Sequence, residues 1–91
     1  MSKTRFDNVW VSLEDDPAKI ADLKMRSELM INITERIKKS GFTQHEAATK
    51  LRVTQPRVNA LLKGKIEEFR LGTLITLAYR MGLHISLKIA A

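Results

Sequence analysis

"TQHEAATKLRVTQPRVNALLKGK", residues 43–65, sets two Thr-Gln pairs eleven residues apart and carries five basic residues from Lys50 onward. Thr43 followed three residues later by Glu46 has the form of a capping box, in which each side chain satisfies a backbone N–H at the start of a helix. Ala47, Ala48 and Leu51 are its apolar positions, and the paired alanines let another helix approach closely. Arg52-Val53 breaks that pattern. A second short helix then follows in "QPRVNALLK", with Val58, Leu61 and Leu62 inward and Gly64 ending it. Pro56 suits a first turn, where backbone N–H groups lack partners. The residue before a proline resists the α conformation, so Thr54 and Gln55 both stand as candidate caps.

The flanks read as further helix. "DDPAKIADLKMRSELMINITERIKKSG" opens on Asp16 as N-cap with Pro17 behind it, and closes on Lys38, Lys39 and Gly41. Ile20, Leu23, Met30, Ile33 and Ile37 recur at helical spacing. One long helix and two helices broken near Met25–Ser27 both fit that pattern. "RLGTLITLAYRMG" puts Leu71, Leu74, Ile75, Ala78 and Met81 on one face, with Gly82 as the stop. The period then changes. Leu83, Ile85, Leu87 and Ile89 alternate with His84, Ser86 and Lys88, which predicts a half-buried strand over residues 83–91. Such a strand needs a partner for its backbone. The candidates are "NVWVSL", residues 8–13, or the same segment of a second copy.

Composition bounds the rest. Ninety-one residues make one modest domain, and the absence of cysteine removes disulfides and thiolate chemistry. The basic start "MSKTRFDNVW" is followed by no apolar stretch of a signal peptide, and no run is long enough to span a membrane, so a cytoplasmic protein is expected. The charge is one-sided. Eight Lys/Arg and eight Asp/Glu cancel in residues 1–49. Residues 50–91 set Lys50, Arg52, Arg57, Lys63, Lys65, Arg70, Arg80 and Lys88 against only Glu67 and Glu68, so the whole formal charge of +6 lies there. A field of this kind suits a polyanion, and nucleic acid is the commonest one.

Two short helices joined by a tight turn, the second polar and basic on its outer face, make a helix-turn-helix. Here "GFTQHEAATKLRVTQPRVNALLKGK", continued through "FRLGTLITLAYRMGL", resembles the Cro-type phage-repressor family, also called the xenobiotic-response-element (XRE) family. It is close to the small regulators of the host-inhibition-of-growth antitoxin type. The resemblance implies a mainly α, lambda-repressor-like helix-turn-helix bundle of four to five helices, to which the C-terminal β-strand is added. It covers residues 27–83. Two positions depart from the family pattern: Arg52 stands where glycine is frequent, and Arg70 stands where a capping serine is frequent.

The implied organisation is an N-terminal extension over 1–16 with a possible short strand, a DNA-binding domain over 17–82 with its helix-turn-helix at 43–64, and a pairing segment over 83–91. In such relatives the glutamine matching Gln44 meets phosphate or the edge of the site, and the one matching Gln55 reads a base. A glutamine can bond adenine N6 and N7 together, so Gln55 is the first candidate for direct readout. Arg57 is expected to face outward toward guanine or phosphate. Pro56 and Ala60 lie at base-facing family positions and offer apolar contact, for instance to a thymine methyl. Thr43, Thr54, Asn59, Lys63 and Lys65 are phosphate candidates, and Arg70, in place of the lost cap, is a further one.

The expected partners are double-stranded DNA and a second copy of the chain, with a cognate toxin as the alternative: an antitoxin that neutralises a small ribonuclease and represses its own operon. No cofactor or metal is expected. His45 and His84 are isolated, and no nucleophile–base pair or phosphate loop appears, which argues against an enzyme. Trp10 is expected to pack against the domain or a dimer mate, and the Leu61-Leu62 pair and the methionines belong to the core.

Overall fold

Pro17–Ser40 forms one continuous helix of 24 residues, α1, in the computed structural model of the chain, which describes residues 16–91. The Asp16 carboxylate accepts from the Ala18 N–H at 3.1 Å, and Gly41 ends the helix at φ 75°, a conformation that costs glycine no side-chain clash. The candidate break near Met25–Ser27 does not occur. Instead, Arg26 pairs with Asp22 one turn back and donates Nη1 to the carbonyls of Ile66 at 3.1 Å and Phe69 at 3.4 Å. Met30, Ile33 and Ile37 are the buried stripe of α1, so only its C-terminal half enters the core.

Helix α2, Gln44–Leu51, starts on the expected capping box: Thr43 Oγ1 accepts from Glu46 N at 3.0 Å, and Thr43 N donates to Glu46 Oε1 at 2.8 Å. It ends on Arg52 at φ 61°, the only non-glycine residue with positive φ among those described. That turn lets Val53 N reach the Ala48 carbonyl at 3.0 Å and points the chain into α3, Gln55–Leu62. Thr54 is the cap of α3, accepting from Arg57 N at 3.3 Å. A 3₁₀ turn over Ile66–Glu68 leads to α4, Leu71–Arg80, whose cap residue Arg70 makes no side-chain capping bond.

The core is one cluster. Ile33, Ala47, Leu51, Val58 and Leu74 are fully buried, closed over by Leu61, Phe69, Leu77, Ala78 and Met81. In α4 the buried face is Leu74, Leu77, Ala78 and Met81. Leu77 replaces Ile75, which is 39% exposed, because spacings of three, four and seven from Leu74 select that stripe. Arginines join the elements through carbonyls: Arg36 Nε donates to Met81 at 3.1 Å and Arg80 Nη1 to Leu51 at 2.9 Å.

The C-terminal β-strand does not form. Residues 83–91 hold no strand, and no strand occurs among the described residues. Leu83 is anchored by its N–H to the Ala78 carbonyl at 3.0 Å and packs against the core. Ile85 bonds the Tyr79 hydroxyl, which accepts from Ile85 N at 3.2 Å and donates to Ile85 O at 3.1 Å. Beyond it Leu87 and Ile89 are 80% and 83% exposed. The alternation is present, but a ladder needs a second strand and no described segment supplies one. The other candidate partner, residues 8–13, lies outside the described residues, as does the whole extension up to Asp15.

Candidate nucleic-acid interface

Helix α3 is two-faced. Val58, Ala60 and Leu61 are buried, whereas Gln55 and Pro56 are exposed, Asn59 is partly so, and Lys63 is exposed just past the helix end. Residues 55, 59 and 63 are four apart and share one face. Thr43, Gln44 and His45 are exposed at the start of α2, and Thr54 at the start of α3, so the two helix openings lie at the surface with their caps. The capping hydroxyls are already engaged as acceptors, from Glu46 N and Arg57 N. A hydroxyl still retains its own proton to donate to a phosphate.

The basic residues divide into two sets. Arg57 and Arg80 are committed within the fold. Lys50, Arg52, Lys63, Lys65 and Arg70 are exposed, and four of the five lie in the turn and in the segment that follows α3. Arg57 is therefore not aimed outward as expected. Its guanidinium lies 4.2 Å from the centroid of the buried Phe69 ring and donates to the Glu68 carbonyl at 3.0 Å. The ring face is negative and nearly fully buried, so the cation–π contact and the carbonyl together hold the side chain against the 3₁₀ turn. Ala60 is corrected as well. At 7% exposure it belongs to the core, because it sits one residue before Leu61 on the inward side of α3.

One neighbour of Gln55 carries no sequence signal. Gln55 Nε2 lies 3.1 Å from His45 Nδ1. A contact across ten residues follows no helical or strand period, and it exists only because the turn at Arg52 brings the two helix openings together. Histidine 84 likewise gains a partner, the Tyr79 ring, edge-on with centroids 5.7 Å apart.

Among the described residues no three His, Asp or Glu side chains gather as metal ligands would. No helix among them is long and apolar enough to cross a membrane.

The model of the helix-turn-helix domain family matches residues 12–90. The chain belongs to that family. Within it the fold is of the XRE type: among solved structures, a chain described as an XRE family transcriptional regulator superposes with a TM-score of 0.73 at 26% identity, over 77% of this chain and 79% of that one. No curated protein matches.

Proposed function

We propose that this chain is a sequence-specific DNA-binding transcriptional regulator, a repressor working as a homodimer in the cytoplasm, which inserts α3 into the major groove. The observation that carries this reading is the division of α3 itself. Its inner face is locked into the core, while Gln55, Pro56, Asn59 and Lys63 stand on the outside beside Lys50, Arg52 and Lys65. A helix presented in this way offers its N-terminal side chains to base edges and its flanks to phosphates. Gln55 reads a base. Thr43, Gln44, Thr54, Asn59, Lys63, Lys65 and Arg70 contact the backbone, fixing register without carrying sequence information.

Selection of duplexes from a random pool by the purified protein, near physiological salt, tests this. Enrichment of a two-fold symmetric site is the expected result, and binding without any enrichment would refute sequence specificity.

The second copy is assigned to the apolar surface formed by Met25, Ile75, Leu87 and Ile89, all exposed in the single chain. Most of these side chains line a groove of about 550 Å³ between α1, α4 and the C-terminal segment. Exposed apolar side chains gathered along one groove are a mark of a protein interface. Sedimentation equilibrium should give the mass of two chains, and Leu87→Asp should give one. A monomer that gains mass only with a small basic ribonuclease would move this surface, and the function, to the antitoxin reading.

A further inference from the structure

Gln55 meets DNA already held. Its carboxamide nitrogen faces His45 Nδ1 at 3.1 Å, and both side chains are exposed. An amide nitrogen has no lone pair with which to accept, so in this orientation Gln55 Nε2 donates and Nδ1 accepts. The amide then keeps one N–H and its carbonyl oxygen for other partners. Those are the groups that pair with adenine, whose N7 accepts and whose N6 donates. Turning the amide over reverses the order of donor and acceptor along the base edge, and the ring meets Oε1 by carrying its proton on Nδ1 instead.

We propose that His45 is a positioning residue for sequence readout: by bonding the Gln55 carboxamide from the opening of α2 it holds that side chain in place, and so sharpens the preference of α3 for one base. The proposal rests on Gln55 as the base-reading residue. It concerns the residue that aims that side chain, from the neighbouring helix. A side chain ordered before binding also loses less conformational entropy on docking than one that must be frozen. Neither histidine nor glutamine contributes to the buried core, so either can be changed without opening a cavity.

The test uses the full chain and two duplexes, the selected site and the same site with the Gln55-dependent base pair replaced. The ratio of the two affinities is measured by fluorescence anisotropy for the wild type, Gln55→Ala, His45→Ala, His45→Asn and the double variant with both alanines. Thermal unfolding checks that each is folded. His45→Ala should lower the ratio by about tenfold, a part of what a bidentate base contact provides. Asparagine places Oδ1 where Nδ1 stood, so His45→Asn should restore most of the ratio. In the double variant the His45 change should add nothing to the loss from Gln55→Ala, since there is no longer a carboxamide to aim.

Three results would overturn the proposal. The ratio could survive in His45→Ala while Gln55→Ala loses it, which leaves the base reading intact without a positioning role. His45→Ala could weaken both duplexes equally, or lower the ratio further in the Gln55→Ala background, either of which makes His45 a contact in its own right. Last, Gln55→Ala could leave the ratio unchanged. That sinks the base reading of Gln55 and this proposal with it, and the Gln55→Ala arm alone identifies that case.

Discussion

Arg52 shows how a single residue sets the geometry of the interface. It holds φ 61° between α2 and α3, a region where a side chain clashes with its own backbone. Arg52→Gly should raise stability by about 1 kcal/mol after the greater unfolded-state entropy of glycine is deducted, read as a higher urea midpoint at constant m. A midpoint lowered by the full entropic cost of glycine, about 0.4–1 kcal/mol, would mean that the turn is unstrained. Gln55→Ala belongs to the same scale. It should cost about 1–3 kcal/mol on the selected site and relax the preference for one base, whereas equal loss on random DNA would remove Gln55 from direct readout. Lys63→Ala should behave differently, weakening selected and random duplexes alike and reducing the salt slope by about one. A slope that does not move would strike Lys63 from the phosphate contacts.

At the scale of the elements, the helices were legible because each was written several times over. The box of Thr43 and Glu46, Asp16 with Pro17, and Gly41 all stand where the spacing placed them, and of the two candidate caps of α3 it is Thr54 that serves. The C-terminal segment was not legible in the same way. Alternation at Leu83, Ile85, Leu87 and Ile89 describes a strand that has found a partner, and the pattern itself holds no information on whether one exists. Arg57 and Ala60 lie otherwise than expected for a related reason. A family position says which way a residue faces in relatives, but Phe69 offers Arg57 a ring and a carbonyl close at hand. Ala60 falls on the inward side once Val58 and Leu61 fix the rotation of α3. The close fit between the short helices has its own consequence. Ala47 is fully buried in the cluster that includes Leu51, Val58 and Leu74. Ala47→Leu should therefore lower stability by about 1–3 kcal/mol through overpacking, visible as a lower thermal midpoint. A tolerated leucine would show spare room beside α2.

Over the whole molecule, charge and burial divide the work. The described core contains no buried polar or charged side chain, so the hydrophobic cluster carries the fold. The arginines that bridge elements, Arg26, Arg36, Arg57 and Arg80, end on backbone carbonyls at the rims of that cluster. The excess positive charge of residues 50–91 was plain in the sequence, but its division into the structural Arg57 and Arg80 and the exposed lysines, Arg52 and Arg70 needed the fold. What remains exposed is a basic, polar surface at the openings of α2 and α3, and a separate apolar surface over α1, α4 and the C-terminal segment. We assign DNA to the first surface and a second copy of the chain to the other. Backbone amide shifts of the labelled protein, recorded while the selected duplex is added, test that assignment most directly. The largest changes should fall on residues 43–46 and 54–65, with Met25, Ile75 and Tyr79 little affected. Changes centred on Met25, Ile75 and Tyr79, with Gln55 unmoved, would contradict it.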